Sequence, residues 1–126
     1  MHGHNAPVTC LCLVQEFLVS ASNDRTIKIW NSHNGDLINT LTGHKDYVIT
    51  LCHLSSSLVA SGGMDNVIKI WDVQSGQLVK SLNEHSDSVT SMCLLTGTEK
   101  GRAWIGTSQT CLASGSVDDS IKIWSI

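Results

Sequence analysis

Apolar and polar residues alternate with a period of two in short segments of this chain. VTCLCLV (residues 8–14) and TIKIW (26–30) show it well, and both are rich in β-branched side chains. That pattern predicts half-buried strands rather than helices. No ten-residue stretch carries a helical period. The apolar runs are cut by SND (22–24), GMD (63–65) and VDD (117–119), which read as tight turns. NGD (Asn34–Asp36) and SGQ (Ser75–Gln77) are hairpin signals in which glycine can take positive φ. The single proline, Pro7, lies beside the first strand, where no central ladder bond is lost. The fold class predicted is all-β.

The strands recur as a unit. IKIW occurs at Ile27–Trp30, Ile68–Trp71 and Ile121–Trp124, with spacings of 41 and 53 residues. Gly3–His4, Gly43–His44 and Glu84–His85 move with it. A serine stands four residues before an aspartate in each copy, and each aspartate six residues before its tryptophan. Such agreement is the signature of an internal repeat. It divides one region, residues 1–126, into units 1–42, 43–83 and 84–126, with an insertion at 96–110 accounting for the longer spacing. Each unit predicts four short strands in a meander, and the last lacks its outer strand.

Composition narrows the function classes. Formal net charge is -3 over 126 residues, which disfavours nucleic acid and anionic membrane as partners, since both reward clustered Lys and Arg. No run of 18 apolar residues exists, and MHGHNAPVTC lacks a basic-then-apolar leader pattern. The expected location is intracellular, cytoplasmic or nuclear. The five cysteines are odd in number, and Cys12, Cys52 and Cys93 each follow their repeat histidine by eight residues. Equivalent places in separate units favour packed thiols over disulfides.

A four-stranded unit of about 41 residues running from Gly-His to Ile-Lys-Ile-Trp-Asp resembles the WD repeat, a β-propeller family, over nearly the whole chain. Only Trp71–Asp72 carries the literal Trp-Asp pair; Trp30–Asn31 and Trp124–Ser125 replace it elsewhere. The resemblance implies one hydrogen-bonded His, Ser, Asp and Trp set per blade. These are His4, Ser20, Asp24 and Trp30; His44, Ser61, Asp65 and Trp71; and His85, Ser114, Asp118 and Trp124. Within the family, residues 20–48, above all HKDYV (His44–Val48), look most like the WD-repeat activator subunit of ubiquitin-specific proteases.

Each Ser/His/Asp set has the residue types of a catalytic triad. An active site is needed once, however, and a fold device once per unit, so threefold repetition favours a structural network and no enzyme. A metal could be imagined at Cys10, Cys12 and His53, but the Cys-x2-Cys and His-x3-His spacings of structural zinc sites are missing. Neither phosphate-loop glycine pattern is present. No cofactor or metal is expected, and His2 and His33 are expected to be solvated.

Two surfaces remain for partners. The family's contact positions on one propeller face map to Pro7, Thr9 and Asn23; Tyr47, Ile49 and Met64; and Ser88, Thr90 and Val117. Ile49 and Met64 could equally pack on a neighbouring blade. The insertion offers Arg102 and Trp104, the latter the one tryptophan outside the IKIW series. Propellers close with about four to eight blades, so three imply either the rest of a longer propeller or self-association into a six-blade ring. The function expected is a noncatalytic protein-interaction scaffold or adaptor. A structural subunit of a large assembly is the alternative, as is a ubiquitin-pathway role as deubiquitinase activator or ligase substrate receptor.

Overall fold

The computed structural model describes residues 3–96 and 110–126 and is all-β there. The first sheet contains β1 (Val8–Val14), β2 (Phe17–Ser22), β3 (Ile27–Asn31) and β4 (Leu37–Leu41) in sequence order. The second repeats this with β5 (Val48–Ser55), β6 (Leu58–Gly63), β7 (Ile68–Asp72) and β8 (Gln77–Leu82). The third holds β9 (Val89–Thr96), β10 (Thr110–Ser116) and β11 (Ile121–Ser125), with β10 central. Every pairing is antiparallel and joins strands consecutive in sequence, so each sheet is a meander. The β3–β4 and β7–β8 ladders shift register between the second isoleucine and the tryptophan of IKIW.

The turns follow their local chemistry. Gly35 (φ 79°) and Gly76 (φ 73°) make the left-handed corners before β4 and β8. At the opposite end, Arg25, Asn66 and Asp119 take φ of 74°, 69° and 66° directly after the repeat aspartates. Their strain is held by Asp24, Asp65 and Asp118, which accept from the backbone N–H two residues on at 2.9, 3.3 and 2.9 Å. Asn66 and Asp119 belong to types that visit this left-handed position, whereas Arg25 does not, so no shared residue type marks it in the sequence.

The core lies between sheets rather than within one. Val14, Val19, Ala21, Ile27 and Ile29 of the first sheet pack on Val48, Leu51, Val59 and Trp71 of the second. The second sheet's other face, with Leu54, Ala60, Ile68 and Ile70, packs on Val89, Leu112, Met92 and Leu94 of the third. One sheet therefore buries its second face only when a neighbour covers it. Thr9 Oγ1 donates to the Val48 carbonyl at 2.5 Å, a polar tie between the first two sheets. No helix among the described residues is long and apolar enough to cross a membrane.

Candidate functional site

In each unit the structure brings the repeat His, Ser, Asp and Trp together. Trp30, Trp71 and Trp124 donate their indole N–H to Ser20, Ser61 and Ser114 Oγ at 2.9, 2.8 and 2.8 Å. Each serine Oγ lies 2.6–2.7 Å from Nε2 of His4, His44 or His85. Each Nδ1 lies 2.8–2.9 Å from Oδ2 of Asp24, Asp65 or Asp118. An ionised aspartate only accepts, so Nδ1 carries a proton and donates to it, while neutral Nε2 accepts from serine. The same Oδ2 accepts the backbone N–H of Asn5, Lys45 or Ser86, the residue after each histidine.

These bonds set the charge state of the aspartates. Desolvation pushes the Asp24 carboxyl upward, but bonds from the Thr26 hydroxyl, His4 and the N–H groups of Thr26 and Asn5 hold it well below the usual carboxylate range. Asp65 is likewise desolvated yet held low by His44 and by the Lys45 and Val67 N–H groups. For Asp118 the Ser120 hydroxyl is the main cause, assisted by His85 and the N–H groups of Ser86 and Ser120. Among the described residues no buried side-chain nitrogen or oxygen lacks a partner.

The strands hold the set in place. Serine sits mid-strand in β2, β6 or β10, opposite the lysine of IKIW, with tryptophan two residues further along the partner strand. The histidine arrives from the loop before the sheet's first strand, its ring edge-on or tilted to the indole at centroid distances of 6.2–6.5 Å. An added Cβ at Gly3 would lie 3.0 Å from the Trp30 ring, and one at Gly43 3.4 Å from Trp71. Glycine before histidine thus lets the chain cross the ring closely. The third unit has Glu84 there, and its Trp124 is only half-buried, whereas Trp30 and Trp71 are buried.

Two further positions complete the cluster and were missed in the sequence. Ser22 Oγ donates to the Ala6 and Pro7 carbonyls and accepts from Asp24 N–H at 3.0 Å. Ser116 repeats this with the Asp87 carbonyl and Asp118 N–H. The second unit has Gly63, where an added Cβ would fall 2.1 Å from the Tyr47 carbonyl. Thr26 and Ser120 add hydroxyls to Asp24 and Asp118. A small residue two before each aspartate, and a hydroxyl two after it in two units of three, were the available signals.

Of the nine candidate contact positions, six are linked in three pairs by backbone bonds between the start of each sheet's first strand and the turn after its second. Asn23 N–H donates to Pro7, Met64 to Tyr47 and Val117 to Ser88, at 3.0, 2.9 and 3.0 Å. Tyr47 and Met64 are exposed neighbours at 41% and 44%. Pro7, Thr9, Thr90 and Val117 are exposed, Asn23 and Ile49 half-buried, and Ser88 buried. Arg102 and Trp104 lie outside the described residues, as does His2; His33 is exposed. Cys10 and Cys12 pack against the core between the first two sheets, and Cys52 against the next. Burial, with the neighbouring thiols, pushes the Cys52 thiol up to about 11. Among the described residues no group of three or more His, Cys, Asp or Glu is arranged to hold a metal ion.

The family described as WD40, WD domain, G-beta repeat, matches residues 1–31, 35–72 and 76–125. The kinesin-like protein KIF21B of Homo sapiens is 38% identical over 55 residues, covering 44% of this chain and 3% of the kinesin. A WD repeat-containing protein of Schizosaccharomyces pombe is 41% identical over 54 residues, covering 36% of this chain and 14% of its own length. Among solved structures, the computationally designed Ika8 protein is similar over 98% of this chain and 35% of Ika8, at 30% identity and a TM-score of 0.79. The chain spans only a small part of the curated relatives it matches.

Proposed function

Because the chain belongs to the WD domain, G-beta repeat family, we propose that it is a noncatalytic protein-interaction module whose strand-end surface recruits a protein or peptide partner. The observation that carries this reading is the side-by-side exposure of Tyr47 and Met64, hydrogen-bonded through their backbones at 2.9 Å. Tyrosine and methionine give large contact area, one rigid and one adaptable, and the mixture suits a peptide or protein surface. The Ser/His/Asp sets support a structural role instead. Their serines are buried, and each Oγ accepts an indole N–H while lying against a histidine Nε2, so the hydroxyl is already engaged within the set.

The second reading is a structural subunit of a larger assembly. It rests on the outer strands β4 and β8, where Leu37, Ile38, Leu78 and Val79 are exposed. A narrower place in the ubiquitin pathway rests on the run His44–Val48 alone. The test is a Tyr47→Ala, Met64→Ala double variant in a proximity-crosslinking assay. We expect loss of the partner crosslink with an unchanged melting midpoint. Retention of the crosslink overturns recruitment by this face.

A further inference from the structure

The two outward faces of the sheet stack are the two halves of an interface that the chain already contains twice. On the first sheet's inner-facing side, Ile27 and Ile29 are fully buried against the second sheet. Their counterparts Ile68 and Ile70 are 0% and 1% exposed against the third. The next counterparts, Ile121 and Ile123, are 79% and 45% exposed. Cys93 continues the series of Cys12 and Cys52 on this same open face, and it too is exposed.

The complementary half is open on the first sheet. Val48 and Leu51 insert against the first sheet, and Val89 and Met92 against the second. Their counterparts Val8 and Leu11 are 50% and 61% exposed, and Leu13, counterpart of the packed Leu94, is 61% exposed. The polar tie is prepared as well. Thr9 Oγ1 bonds the Ala21 carbonyl of its own sheet and the Val48 carbonyl of the next. Thr90 Oγ1 bonds Gly115, the counterpart of Ala21, and is exposed toward the open side.

We propose that the face bearing Ile121, Ile123 and Cys93 docks the Val8, Leu11 and Leu13 face of a second copy of this chain, head to tail. Continuity with the two buried interfaces argues for this occupant: each open residue meets the partner that its counterpart already meets. Head-to-tail contacts either close into a ring or run on without limit. Of the multiples of three sheets, only six lies within the usual range of about four to eight blades, so two copies close the ring through two equivalent interfaces.

The test is sedimentation equilibrium on the 126-residue chain from about 1 µM upward. The expected mass is twice 13.6 kDa. Ile121→Asp and Leu11→Asp alter exposed residues of opposite faces, so each should fold yet sediment at 13.6 kDa, because either change spoils both interfaces. Mixed in equal amounts, the two variants retain one unaltered interface and should pair at least about tenfold more tightly than either alone. A wild-type chain that stays at 13.6 kDa, with circular dichroism of a folded β protein, overturns the proposal and leaves further repeats of a longer chain as the occupant. A mass that grows without limit overturns closure. Pairing insensitive to Leu11→Asp, or not restored by mixing, overturns the head-to-tail arrangement.

Discussion

Replacing Ser61 by alanine isolates the role of the repeated polar set. Ser61 is fully buried, accepts from Trp71 Nε1 at 2.8 Å and lies 2.7 Å from His44 Nε2. Alanine removes both partners at once and leaves too small a space for water. An unsatisfied buried donor or acceptor costs about 1–3 kcal/mol, so stranding the indole and the imidazole together predicts a loss of about 2–6 kcal/mol. Ser114→Ala removes the same bonds in the third sheet, where Trp124 is half-buried and water can reach the indole. There the loss should be at most about half as large, since a solvated donor recovers its bond. Urea unfolding followed by tryptophan fluorescence measures both, with the slope against urea checked for constancy. A Ser61→Ala, Trp71→Phe cycle should return a coupling of about 1 kcal/mol. Equal losses in the two sheets, or a Ser61→Ala loss below about 0.5 kcal/mol, would refute the argument from burial.

Acid should act through the aspartates. Asp24, Asp65 and Asp118 are held below the ordinary carboxylate range when folded, so the stability they contribute is complete above the unfolded value near 4 and declines as pH falls through it toward the folded values. Thermal midpoints should therefore fall below about pH 4, and Asp65→Asn should flatten that decline while lowering stability at neutral pH. Alkylation at pH 8 should separate the thiols. In the single-chain Leu11→Asp variant, whose Cys93 face stays uncovered, exposed Cys93 should react first, and Cys52, with its thiol pushed up to about 11, much later; equal rates would contradict their placement.

The sequence carried the repeated parts well because each is a spacing rather than a shape. His, Ser, Asp and Trp recur at fixed offsets, and a hydrogen-bonded set tolerates little change in any member. The turn after each aspartate was harder to see. Arg25, Asn66 and Asp119 share a positive φ but no residue type, because the aspartate side chain fixes the corner and its occupant need only tolerate it. Ser22 and Ser116 escaped notice for a related reason. Gly63 holds that place in the second unit, where an added Cβ would meet the Tyr47 carbonyl, so the position is a hydrogen-bonding serine in two units and a side-chain-free residue in the other.

Exposure was the least legible property, since it depends on what lies across each sheet. Ile27, Ile68 and Ile121 stand in identical IKIW contexts, yet they run from fully buried to 79% exposed. The difference is the presence or absence of a facing sheet, which no local pattern encodes. The same holds for Val8 against Val48 and Val89, and for Leu11 against Leu51. A repeat sequence thus specifies an interface without saying how often it is satisfied. Burying large aliphatic side chains such as Ile121 and Leu11 is worth about 1.5–3 kcal/mol each, so the two open faces together hold a driving force comparable to that joining the sheets already packed. The proposed self-docking thus draws on the apolar sheet faces, and the proposed recruitment on the separate strand-end surface around Tyr47 and Met64.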